Sequence, residues 1–130
     1  MNLEQYNYLQ YQENGNQIAI DFDGVIHKNS KGFHDGTVYD EPIEGAFEAI
    51  KQLRKQGYQI VIFTAKAKPD RPLVNGKTGI ELIEEWLDKH EMLSYIKEVT
   101  PEKPRAIAYI DDRAIRFTDW NDILNQLNNA

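Results

Sequence analysis

Asp21 and Asp23 stand one residue apart, directly behind the short apolar run Ile18-Ala19-Ile20, and Asp111 and Asp112 directly behind a second run, Ala106 to Ile110. Thr64 ends a third, Tyr58 to Phe63, and Lys103 lies in the loop before Ala106. If these runs are neighbouring parallel strands, all of these residues meet at one sheet edge, where ligands bind in such folds. Four carboxylates gathered without compensation repel one another. A hard divalent cation is one remedy, and Mg²⁺ takes oxygen ligands, typically one or two carboxylates with phosphate and water. Such a site suggests phosphoryl transfer. An aspartate can serve as nucleophile, forming an aspartyl-phosphate. A second acid two residues on can give a proton to the leaving alkoxide and later activate water. Lys103 can supply positive charge, and the Thr64 hydroxyl and backbone N–H groups can supply donors to the transferred group. Gly24 suits a sharp exit from the strand.

The elements that must hold these residues alternate along the chain. Ile18 to Ile20 reads as a buried strand. Val25 to Tyr39 has loop chemistry, with room for a small hairpin. Pro42 predicts a helix start, Ile43, Phe47, Ile50 and Leu53 recur at helical spacing, and Gly57 predicts the stop. Tyr58 to Phe63 is a second buried strand, and Lys66 to Lys77 a polar loop. Thr78 to His90 predicts a helix, with Thr78 and Glu81 as a capping box. Tyr95 to Val99 predicts a third strand, Thr100 to Pro104 a connection, Ala106 to Ile110 a fourth strand and Ile115 to Thr118 a fifth, short edge strand. A helix over Asp119 to Leu127 closes the chain. Strands alternating with helices predict a parallel α/β sheet with helices on both faces. The first fourteen residues carry three tyrosines and read as a packing helix or a loose arm.

Composition narrows the classes. The chain has 130 residues, fitting one domain. A net charge of −6 argues against a uniformly basic, nucleic-acid-coating surface. The absence of cysteine removes disulfides, thiolate metal sites and thiol nucleophiles. The polar N-terminus lacks the apolar core of a signal peptide, and no apolar run reaches the roughly 20 residues that span a bilayer. The expectation is a soluble, cytoplasmic protein without a membrane partner.

Asp21-Phe22-Asp23-Gly24-Val25 resembles the first motif of the haloacid dehalogenase-like phosphatase superfamily. Ile60 to Ala65, an apolar strand followed by Thr64, resembles the second. Lys103 falls where the basic residue of the third is expected, and Tyr109-Ile110-Asp111-Asp112-Arg113 resembles the acidic fourth. The motifs run in family order from Asp21 to Arg113.

The resemblance implies roles. Asp21 is the nucleophile and a Mg²⁺ ligand. Asp23 is the general acid/base, with its backbone carbonyl on the metal. Thr64 binds the phosphoryl group, and Lys103 stabilises its charge and orients Asp21. Asp111 ligates the metal directly or through water, and Asp112 supports or shares that ligation; which of the two dominates stays open. A three-layer Rossmann-like sheet of order 3-2-1-4-5 is implied. The family's cap domains have no room here, with fewer than twenty residues between Asp23 and Pro42, enough for a flap only. The chain thus resembles small capless members from bacteria and phages. The expected activity is Mg²⁺-dependent hydrolysis of a phosphomonoester, either a small molecule or a nucleic-acid end. The alternative is a receiver-like phospho-acceptor or binding module, against which Asp23 argues.

Several neighbours have two readings. Lys97 is an alternative to Lys103. Lys66, Lys68 and Arg71 either line the phosphate approach or form a solvated charge run. Arg113 either pairs with Asp112, the preferred reading, or touches substrate, and Trp86 and Trp120 read as helix packing. His27 and His34 fall in the flap, and the acids already furnish an oxygen site without them.

Overall fold

The computed structural model describes Asn2 and residues 16–129. The tyrosine-bearing N-terminal segment lies outside the described residues except for Asn2. Strand β1 (Gln17–Ile20) leads through a long loop to helix α1 (Ala46–Lys55) and strand β2 (Gln59–Phe63). Helix α2 (Gly79–Lys89), strand β3 (Glu98–Thr100), strand β4 (Ala108–Ile110) and helix α3 (Trp120–Asn128) follow. The four strands form one all-parallel sheet in the order β3-β2-β1-β4. The chain is therefore α/β. Because the strands are parallel, residues 21, 64 and 111, each just past a strand's last residue, share one edge.

Side-chain alternation sets the core. Ile18 pairs with Ile60 and Ile20 with Ile62, so these four isoleucines share one sheet face. They pack with Ile50 of α1 and with Ile83, Trp86 and Leu87 of α2 in one buried cluster. The β-branched, continuously apolar β1 and β2 suit a strand covered on both sides. Helix α2 begins as expected: the Thr78 hydroxyl accepts from Glu81 N while the Glu81 carboxylate accepts from Thr78 N. Helix α1 closes at Gln56, and Gly57 follows at φ 95°.

Three expectations are corrected. Helix α1 starts at Ala46, not Pro42. Gly45 takes a left-handed φ of 85° and Ile43 N donates to Ile26 O at 2.7 Å, so residues 42–45 brace the flap instead of coiling. No fifth strand is present over Ile115–Thr118. Edge strand β4 spans only three residues. Beyond it, Thr118 and Asp119 are committed to the start of α3, through Thr118 Oγ1 donating to Asp122 Oδ2 at 2.7 Å and Asp119 Oδ1 accepting from Asp122 N at 2.9 Å. Trp86 is buried as expected, but Trp120 is 70% exposed. Leu124 and Leu127, further along the same helix, are exposed too, and α3 contributes no buried residue to the core. Among the described residues, no helix is long and apolar enough to cross a membrane.

Candidate active site

A cleft of about 630 Å³ opens at the strand-end edge. Asp21, Asp23, Thr64, Lys66 and Asp112 are among the residues that line it. Three of these follow or end different elements, so the parallel register of β1, β2 and β4 brings them together.

Asp21 leaves the central strand with its N–H donating to Ile110 O at 2.9 Å, which ties β1 to β4 at the site. Its Oδ1 accepts from Phe22 N at 2.8 Å. Burial pushes the Asp21 carboxyl up to about 6, and the neighbouring charges of Asp111, Asp112 and Asp23 push the same way against the Phe22 hydrogen bond. Carboxylate oxygens of Asp21, Asp111 and Asp112 lie within 4.8 Å of one another. An all-oxygen, multiply anionic donor set fits a hard divalent cation and has no soft atom to favour a transition metal. Burial is the main cause of the raised proton affinity of Asp21, and the clustered carboxylates add to it. The Asp23 carboxylate stands outside this group of three.

Asp23 is held by two partners that sequence reasoning did not assign to it. His27 Nδ1 lies 2.8 Å from Asp23 Oδ1, and His27 Nε2 accepts the Asp40 N–H at 2.9 Å. Since Nε2 is an acceptor, the proton sits on Nδ1 and is donated to Asp23. His27 is wholly buried, stacked on Phe22 with 5.3 Å between ring centres and edge-on to Trp86. Trp86 Nε1 in turn donates to Asp40 O at 3.0 Å. The imidazole is thus a strut between the carboxylate, the flap and α2. The second partner is Lys66, 6% exposed, with Nζ 3.2 Å from Asp23 Oδ2. Burial alone raises the proton affinity of Asp23, but the His27 hydrogen bond and the Lys66 charge outweigh it and hold the carboxyl below its usual range.

Thr64 is buried and extended, and its Oγ1 accepts from Lys66 N at 3.2 Å as it opens one turn of 3-10 helix, Ala65–Ala67. Its hydroxyl proton remains to be donated into the cleft. Two glycines set close approaches. A Cβ on Gly24, at φ +86°, would stand 2.5 Å from Asp112 Oδ2. A Cβ on Gly79, the first residue of α2, would stand 1.8 Å from the Lys66 carbonyl oxygen, so α2 seats directly on the backbone that presents Lys66.

Lys103 lies elsewhere. It lines an adjoining cleft that shares Asp21 and also holds Asp111, with its Nζ 4.8 Å from the centre of the Tyr109 ring. Lys97, its alternative, donates to Gln17 and Gln59 at 2.9 and 3.2 Å. The expected Arg113–Asp112 ion pair is absent among the described residues. Arg113 uses its backbone N–H to bind Asp111 Oδ1 at 2.7 Å, and its side chain lines the main cleft. Of the basic run after Thr64, Lys66 and Arg71 line that cleft. Lys66 carried one sequence signal, its place two residues beyond a strand-end threonine. His27 carried a fainter one, its place directly after the apolar Val25-Ile26 pair at the start of the flap.

Compared with protein-family models, curated proteins and solved structures, the chain matches none.

Proposed function

We propose that the protein is a Mg²⁺-dependent phosphomonoester hydrolase acting through an aspartyl-phosphate on Asp21. One observation carries this reading: Asp21 ends the central strand, shares a tight oxygen cluster with Asp111 and Asp112, and lines one cleft with Asp23, Thr64 and Lys66. The four parallel strands are compatible with a Rossmann-like sheet, the frame on which such a site is commonly built. Asp21 with Asp111 or Asp112 would hold a Mg²⁺ ion, which would supply charge to screen the phosphate from the attacking carboxylate.

In the first step a carboxylate oxygen of Asp21 attacks phosphorus and forms an O–P bond as the ester O–P bond breaks. The departing alkoxide takes a proton from Asp23. In the free protein Asp23 is ionised; an arriving phosphate dianion raises its proton affinity by adding negative charge beside it, and Asp23 takes from solvent the proton that it then gives to the alkoxide. In the second step Asp23 takes a proton from water as the water oxygen attacks phosphorus, releasing phosphate and restoring Asp21. Thr64 Oγ1 and Lys66 meet the charge on the transferred group. His27 keeps Asp23 oriented through both steps.

A second reading, a phospho-acceptor module that holds its phosphoryl group, is favoured by one observation: both His27 and Lys66 engage Asp23 and keep it ionised. Steady-state release of phosphate from an aryl phosphate with Mg²⁺, lost in D21N, supports the hydrolase. Stoichiometric labelling of Asp21 without turnover supports the module. Turnover unaffected by D21N overturns both.

A further inference from the structure

The main cleft also has an aromatic residue in its lining, beside the carboxylates. Phe33, in the flap, lines it while remaining 63% exposed. The Arg71 guanidinium lies over the Phe33 ring at 5.9 Å, from the loop after β2. The ring is not loosely carried. Tyr39 Oη accepts from Lys31 N at 2.7 Å and donates to Gly32 O at 2.9 Å, and Gly36 N donates to Phe33 O at 2.9 Å. Gly36 also clears the space the ring occupies, since a Cβ there would stand 3.2 Å from Phe33 Cζ. The flap therefore presents a largely exposed ring, with Arg71 over it, in the lining of the cleft proposed to take phosphate.

Charge on the same wall points the same way. Lys28, Arg71 and Arg113 line the cleft, and none of them makes an ion pair among the described residues. In a chain of net charge −6, three cations held in no ion pair share one cleft with three carboxylates that a bound cation would offset, and they favour a ligand with a further anionic group. A sugar phosphate offers no planar face, and a simple aryl phosphate no second anion. A nucleotide offers both.

Resting on the hydrolase reading above, we propose that the cleft takes nucleotides: a terminal phosphomonoester at the carboxylates, the base stacked on Phe33 beside Arg71, and a further phosphate met by Lys28 and Arg113. Bases of any identity stack on an aromatic ring, so the preference is for nucleotides as a class. Free nucleoside bisphosphates and phosphate-ended oligonucleotides share this chemistry.

The test compares kcat/KM, with Mg²⁺, for adenosine 3′,5′-bisphosphate, a short 3′- or 5′-phosphorylated oligonucleotide and ribose 5-phosphate. At least one nucleotide arm should exceed ribose 5-phosphate by about ten- to a hundredfold, the range set by base–aromatic stacking. The ratio should fall about tenfold or more in F33A and return in F33W, the remainder in F33A reflecting the second phosphate. The favoured arm identifies the source of the phosphate. Equal kcat/KM for nucleotide and ribose phosphates overturns the base site and leaves the hydrolase reading standing. Binding of adenosine 3′,5′-bisphosphate to D21N, measured by calorimetry, separates the two claims further. If nothing is turned over but binding depends on Phe33, the base site stands and the hydrolase reading falls. If binding is also indifferent to Phe33, the base site falls with it.

Discussion

Lys66 reaches Asp23 across 43 positions of sequence, its Nζ 3.2 Å from Oδ2 and 3.5 Å from Oδ1. The pair joins the loop after β1 to the loop after β2 and leaves a nearly buried ammonium dependent on one carboxylate. Removing that carboxylate strands the charge, which costs more than the intact pair contributes. D23N is therefore expected to lose about 1–3 kcal/mol of stability, less than for a fully buried pair because Asp23 is partly exposed. D23N/K66M should recover most of it. Urea unfolding of the two variants checks this; a D23N protein as stable as the wild type removes the claim.

Asp21 gives a pH dependence with a definite sign. Its carboxyl stands at about 6 in the fold against 3.8 for an unperturbed aspartate. Between those values the folded, metal-free protein binds more protons than the unfolded chain, so stability falls as pH rises through that window. D21N has no charge to lose. At pH 7.5 without metal it should be more stable than the wild type by on the order of 1 kcal/mol, after allowance for solvent screening. The difference should vanish near pH 4. Adding Mg²⁺ at pH 7.5 should raise the melting temperature of the wild type more than that of D21N. Melting curves at the two pH values, with and without metal, measure both effects.

Gly24 bears on the cation through Asp112. An alanine there brings a Cβ against Asp112 Oδ2 at 2.5 Å and must hold φ near +86°. G24A should cost about 1 kcal/mol of stability from its backbone alone. It should weaken Mg²⁺ binding about tenfold by displacing Asp112. Calorimetric titration with Mg²⁺, beside D111N and D112N, shows which of the paired aspartates matters more.

The two candidate lysines should separate by kind of effect. Lys66 touches Asp23, so K66M should raise the proton affinity of that carboxyl and move the corresponding limb of the pH–rate profile to higher pH. Lys103 lines the neighbouring cleft beside Asp21 and Asp111, so K103M should lower kcat without moving the profile. Profiles of aryl phosphate turnover for both variants decide it; an unmoved profile in K66M removes Lys66 from control of Asp23.

Much of the frame was legible because the physics was local. Continuous β-branched runs predict β1 and β2, and the Thr78/Glu81 capping box predicts the start of α2. Acids placed immediately behind apolar strands need only parallel pairing to converge, as Asp21, Asp111 and Asp112 do. What was not legible depends on contacts between distant residues. Pro42 has the right chemistry for a helix start, but the Ile43–Ile26 hydrogen bond and the left-handed Gly45 pre-empt it. Ile115 and Phe117 alternate as a strand should, yet Thr118 and Asp119 are committed to the start of α3. Lys66 and His27 become partners of Asp23 only once β2 lies beside β1 and the flap folds over α2.

The contact between Gly79 and the Lys66 carbonyl extends the site beyond the cleft. A helix belonging to the hydrophobic interior sets, by the absence of one methyl group, the height at which an ammonium stands before the carboxylates. Screens restricted to cleft-lining positions will overlook residue 79. Any side chain there must prise helix from loop, and chemistry and folding would then fail together at a position that need never meet a substrate.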